Sequence, residues 1–263
     1  NAGITSRPCG TGMKPGFPAC GRRKCRTRLG RRTCARTKAP RFAARRAGRP
    51  GAGLARRPGR KPGLRARRLL TEEGWLDDHQ LRIADGVIAA IEPIPVGVTE
   101  RDAELLCPAY IDTHVHGGAG VDVMDDAPDV LDKLAMHKAR EGVGSWLPTT
   151  VTAPLNTIHA ALNRIAQRCQ RGGPGAQVLG SYLEGPYFTP QNKGAHPPEL
   201  FRELEIAELD QLIAVSQHTL RVVALAPEKE GALQAIRHLK QQNVRVMLGH
   251  SAATWQQTRA ALD

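Results

Sequence analysis

The sequence predicts an α/β protein: an incomplete (β/α)8 TIM barrel, preceded by a small β element and a disordered basic N-terminal tract. Three observations carry this. Short apolar runs alternate with segments of helical period, as parallel strands with crossover helices require. Polar, chemistry-bearing residues recur just where those runs end. The charge is divided: of the 38 Lys and Arg, 22 lie in residues 1–70, which contain no Asp or Glu, whereas residues 71–263 hold all 25 acids and sum to −9. The net charge of +13 therefore describes neither part of the 263-residue chain.

Residues 1–68 form the basic tract, rich in Arg, Gly and Pro. Breakers recur and apolar periodicity is missing, so the tract cannot bury enough surface to offset its chain entropy, and disorder is expected. Three readings compete: an arginine-rich arm that neutralises nucleic-acid phosphates, a plain solvated tail, or an out-of-frame translation of GC-rich sequence that begins at Asn1 rather than Met. A nucleic-acid partner is expected only if the tract is genuine. Four of the six cysteines (Cys9, Cys20, Cys25, Cys34) lie here without a C-x-x-C pair, which supports neither a zinc site nor a disulfide framework. Cys107 and Cys169 are far apart in sequence, which fits a reducing cytoplasm. There is no apolar run of about 18 residues for a membrane span and no apolar core of a secretory signal. A cytoplasmic location is expected.

Residues 69–107 are expected to be part of a small β domain. Leu81–Ile91 reads as two short strands around Asp85-Gly86, a favoured hairpin turn. Residues 108–263 are expected to supply the first five βα units. The strands are 109–114, 145–152, 177–183, 220–225 and 244–248. The helices are 129–141, 155–168, 203–216 and 231–242, with a fifth opening at Thr254. No G-x-G-x-x-G follows the first strand, which disfavours a dinucleotide-binding sheet. A barrel needs eight units, so three are expected beyond Asp263 and the chain is expected to be a fragment.

The strand ends carry the chemistry. In His114-Val115-His116, positions i and i+2 share a face, so both imidazoles can reach one metal. Glu184 ends the third strand in Leu183-Glu184-Gly185-Pro186, and His250 follows the fifth in Gly249-His250-Ser251. Strands one, three and five would converge at the C-terminal mouth, where barrel enzymes work. A mixed His/carboxylate set suits zinc, with iron or manganese as alternatives. Lys193-Gly194-Ala195-His196 lies in the loop after Glu184 and could lie over a substrate. Glu228 is read as a cap of the next helix. Met124, Met136, Met247 and Trp146 are read as packing residues.

Six motifs, in order, resemble N-acetylglucosamine-6-phosphate deacetylases of the amidohydrolase superfamily: 107–117 (CPAYIDTHVHG), 147–150 (LPTT), 183–186 (LEGP), 193–196 (KGAH), 225–228 (LAPE) and 249–251 (GHS). The resemblance covers residues 69–263. It implies that Glu184 and His250 bind the main metal, that His114 and His116 bind a second one, and that Ala195 and His196 contact the sugar. It implies hydrolysis of N-acetylglucosamine 6-phosphate to glucosamine 6-phosphate and acetate, and a homodimer for the full-length protein. The family's third main-metal ligand, catalytic Asp and phosphate-binding residues are expected beyond residue 263, so no catalytic residue is expected within the chain and the fragment is expected to be inactive. The competing readings are another amidohydrolase (dihydroorotase-, adenine-deaminase- or aminoacylase-like) and a non-functional truncated product with a nucleic-acid-binding arm.

Overall fold

The computed structural model describes residues 63–263. Every described residue belongs to one compact unit. Everything expected of residues 1–62, including the nucleic-acid arm and four cysteines, lies outside the described residues.

Four strands build the small sheet: β1 (Gly63–Thr71), β2 (Gly74–Ala84), β3 (Val87–Pro93) and β4 (Ala103–Leu106), in the order β3-β2-β1-β4. β2 and β3 meet at Ala84 and Val87, so Asp85-Gly86 is the two-residue turn that the sequence suggests. Both turn residues have positive φ (50° and 80°), the backbone that matches strand twist. The expected boundary after residue 68 is corrected, because β1 already starts at Gly63. Ala66 and Leu69 of this strand are buried. Arg67 and Arg68 between them are exposed, on opposite faces, so the strand shows no apolar alternation; Arg68 lies over the Trp75 ring, 4.7 Å from its centroid.

After this sheet the βα units follow in order. β5 (Tyr110–Val115) leads through a tiny hairpin, β6 (Gly117–Gly118) and β7 (Val121–Asp122), to α1 (Val130–Arg140). Then come β8 (Val143–Pro148), α2 (Leu155–Arg171), β9 (Gln177–Val178), β10 (Ser181–Glu184), α3 (Ile206–Val215), β11 (Leu220–Leu225), α4 (Ala232–Gln241), β12 (Arg245–Leu248) and α5 (Trp255–Leu262). The third expected strand is split into β9, which pairs with β8, and β10, which pairs with β11. β5-β8-β9 and β10-β11-β12 are both parallel, and a bridge from Thr149 to Tyr182 joins the two sets. This is an arc of barrel wall, matching the expected class.

The helices pack on the outside of the arc. α2 buries Ile158, Ala161, Leu162 and Ile165, the spacing of one helical stripe. Ile158 and Leu162 meet Leu183, Leu209, Leu212, Val223 and Leu239, and Ile165 meets Trp146, Leu134 and Val178, in two clusters. A third cluster, Leu147, Tyr182, Phe188, Val222 and Ala224, lines the inner side. Each fully buried large side chain contributes about 1.5–3 kcal/mol. Trp146 is fully buried, as expected of a packing residue. Met136 and Met247 are not core residues, since both are exposed; Met247 projects from β12, which has a partner on one side only.

Candidate metal centre

The C-terminal strand ends bring five polar side chains together. His114 sits near the end of β5 and His116 just beyond it. Glu184 is the last residue of β10, His196 lies in the loop that follows, and His250 comes two residues after β12. Glu184 is buried at the centre. One carboxylate oxygen lies 2.7 Å from Nε2 of His116 and 3.3 Å from Nε2 of His114; the other lies 3.3 Å from Nε2 of His250. His196 Nε2 is 3.9 Å away. Two overlapping groups place candidate ligand atoms within 4.8 Å of one another: His114, His116 and Glu184, and Glu184, His196 and His250. Ala195 lies on the same loop but is exposed.

Local chemistry sets each ring. Thr149, at the end of the second barrel strand, ties β5 to β8: its N–H bonds to the Val115 carbonyl and its hydroxyl accepts the Val115 N–H. Its carbonyl takes the Nδ1 proton of His116 at 3.2 Å. In a neutral His116 this leaves Nε2 as a bare lone pair. His250 repeats the device, with Nδ1 3.0 Å from the Asn192 carbonyl and Nε2 toward Glu184. Both lone pairs therefore face a carboxylate, and His116 Nε2 also lies 3.1 Å from His114 Nε2. Acceptors gathered this way require a proton or a cation between them. Backbone carbonyls that orient ligating imidazoles are the usual outer shell of such sites.

His196 is set differently. Its Nδ1 lies 2.8 Å from the Thr152 hydroxyl and accepts the Thr152 N–H at 3.4 Å. The proton therefore belongs on Nε2, which faces the site as a donor. Phe188, fully buried, packs under His196 and His250, with ring centroids 4.9 and 4.6 Å away.

The electrostatics follow. Burial pushes the Glu184 carboxyl up, but the His116 hydrogen bond and the neighbouring imidazoles outweigh it and hold the group at about 2. The hydrogen bond to Glu184 raises His116. Burial lowers His196 and favours its neutral ring. Burial also pushes the Tyr182 phenol, beside His114, up to about 12.

Two glycines make room. Gly185 has φ +74°, and a Cβ there would lie 2.0 Å from the Thr152 hydroxyl. Gly194 has φ +58°, and its Cβ would press to 3.0 Å from Cε1 of His250. Both are confined to glycine by backbone and by space.

The expected role of Glu228 is corrected. It caps no helix. Its carboxylate accepts from Thr189 Oγ1 (2.7 Å), Ser251 Oγ (2.6 Å) and Ala252 N (2.7 Å), which ties the loops after β10, β11 and β12. Sequence reasoning also passed over Thr152, Phe188 and Asn192. Nothing in their spacing marks them; only the fold brings them to the rings. Among the described residues, no helix is long and apolar enough to cross a membrane.

Comparison with known proteins adds an independent line. Residues 64–96 match the family model described as formimidoylglutamate deiminase HutF, N-terminal domain; the match spans β1 to β3 only. The chain is 98% identical over 200 residues to an N-acetylgalactosamine-6-phosphate deacetylase of Escherichia coli O157:H7, covering 76% of this chain and 53% of that one. It is 46% identical over 209 residues to an N-acetylglucosamine-6-phosphate deacetylase of Vibrio furnissii, covering 76% and 51%. Among solved structures, a variant N-acetyl-D-glucosamine-6-phosphate deacetylase of Mycobacterium smegmatis, in complex with N-acetyl-D-glucosamine 6-phosphate, superposes with a TM-score of 0.67 at 31% identity, covering 76% and 52%. The chain spans about half the length of the curated relatives it matches.

Proposed function

Because the chain belongs to the N-acetylglucosamine-6-phosphate deacetylase family of amidohydrolases, we propose that it supplies the metal centre of an enzyme that hydrolyses the acetamide of N-acetylglucosamine 6-phosphate to glucosamine 6-phosphate and acetate. The observation that carries this is the buried Glu184 carboxylate, with the Nε2 atoms of His114, His116 and His250 within 3.3 Å of its oxygens. Glu184 and His250 would hold the main ion, and His114 and His116 a second. The nitrogen-and-oxygen donor set fits zinc, and also iron or manganese.

When bound, such a cation polarises an amide carbonyl and lowers the pKa of a water toward neutrality. The chain's own residues do the rest of what this part of the site offers. Glu184 stays ionised and brings negative charge to the centre. The Thr149 and Asn192 carbonyls hold the two rings with Nε2 inward. His196, neutral and protonated on Nε2, can donate to an oxygen of the sugar or of its acetamide, and Ala195 would lie against the sugar. The proton taken from water and delivered to the leaving amine requires a further acid–base group, which we do not assign within residues 63–263. A homodimer and a cytoplasmic location accompany this reading.

A second substrate is favoured by one observation: the 98% identical relative is named for the galactosamine sugar, the C4 epimer. Acetate release by the whole, zinc-loaded protein from each epimer tests both. Faster turnover of the glucosamine substrate supports the first reading, and faster turnover of the galactosamine substrate the second. Turnover of neither overturns the proposal.

A further inference from the structure

Glu228 is a carboxylate of the strand-end rim whose bonds go to other rim loops rather than to the imidazoles. It leaves the turn after β11, whose base is fixed: Ala226 is fully buried and its N–H bonds to the Tyr187 carbonyl at 2.9 Å. From there both carboxylate oxygens reach across. One takes the Thr189 hydroxyl and the Ala252 N–H; the other takes the Ser251 hydroxyl. Ser251 and Ala252 directly follow His250. Asn192 closes the turn from the opposite side: its side chain donates to the Ser251 carbonyl, and its own carbonyl accepts from His250 Nδ1. Between these anchors His250 is held at φ +49°. A non-glycine residue is held in that strained left-handed backbone by its surroundings.

We propose that Glu228 is a positioning residue for the metal centre: by clamping Ser251 and Ala252 it holds His250 in the strained turn that aims Nε2 at the ion. The inference rests on the metal-centre reading above. Charge-assisted bonds to a carboxylate are stronger than neutral ones. Three of them on the two residues after the ligand, and on Thr189 of the facing loop, give the clamp its grip. Without it the backbone of residue 250 is free to leave the left-handed region, and the ring leaves with it.

The test is zinc affinity of the full chain, measured by competition with a chromophoric chelator, beside the melting temperature of the metal-free protein. Glu228→Ala is expected to raise the zinc Kd about 10–100-fold, the range that outer-shell partners of metal ligands command. Glu228→Gln keeps one acceptor oxygen and is expected to restore most of the loss. A residue that only supports the fold would lower the melting temperature and leave the Kd where it was; an unchanged Kd in Glu228→Ala overturns the inference. If Glu228→Ala does not fold, Ser251→Ala and Thr189→Val each remove one donor to the carboxylate. A several-fold rise in Kd for Ser251→Ala supports the clamp, and wild-type Kd in both variants overturns it. A wild-type chain that takes up no zinc overturns the metal reading itself and this inference with it, a failure distinct from normal uptake that ignores Glu228.

Discussion

Nε2 of His116 lies 2.7 Å from a carboxylate oxygen of Glu184, although the ring's other nitrogen already gives its proton to the Thr149 carbonyl. A neutral His116 thus turns a lone pair on a charge, which only a proton or a cation can reconcile. Glu184→Gln keeps the shape and removes the charge. It is expected to weaken zinc binding by roughly 100-fold or more, beyond the loss seen for outer-shell partners. Zinc retained by the variant after dialysis at the wild-type level would refute the assignment.

Metal should stabilise the folded chain. A ligand that binds only the native state at 100 times its Kd adds about 2.7 kcal/mol. For a unit of this size that is a rise of about 5–10 °C in melting temperature. Differential scanning fluorimetry with zinc, and again with a chelator, should show the shift and its reversal.

Gly185 should resist substitution. Gly185→Ala would force a side chain into a left-handed backbone and against the Thr152 hydroxyl. The expected loss is about 2–4 kcal/mol, combining strain with overpacking. Urea unfolding curves of the two proteins measure it.

Trp146 tests packing against recognition. It is fully buried, and its indole N–H is without a hydrogen-bond partner. Trp146→Ala should cost about 3–5 kcal/mol. Trp146→Phe, which keeps most of the volume and loses no hydrogen bond, should cost far less. Equal losses in equilibrium unfolding would mean that the indole N–H has a use the packing does not reveal.

The two described cysteines should differ in reactivity. Cys107 is exposed, whereas burial pushes the Cys169 thiol up. A raised pKa leaves less thiolate at a given pH, so the Cys169 alkylation rate should still be climbing above about pH 8.5, where an ordinary free thiol is half ionised. Peptide-resolved mass spectrometry after timed iodoacetamide treatment at several pH values reads both rates.

Much of this architecture is legible before any coordinates. Strand β11 falls where its apolar run, Leu220–Leu225, places it, and Thr254 opens α5 with a capping box to Gln257. His114, His116, Glu184 and His250 stand out because imidazole and carboxylate at the ends of apolar strands have few structural uses. What stays hidden is of two kinds. Arg65, Arg67 and Arg68 make β1 read as basic tract, since long charged side chains reach solvent from either face of a strand. Glu228 reads as a helix cap, because its true partners, Thr189 and Ser251, are adjacent only once the loops fold over one another.

Glu184 and His250 stand 66 residues apart in the chain, with two helices and two strands between them. An ion gripped by both is a covalent-like staple across that span. By the chain-entropy relation for cross-links, closing a loop of this length removes about 4 kcal/mol of freedom from the unfolded ensemble. The carboxylate can serve the ion only after three separate βα units have found their places. An ion shared by Glu184 and His250 would therefore bind where the native strand order has formed, and its uptake would report that order.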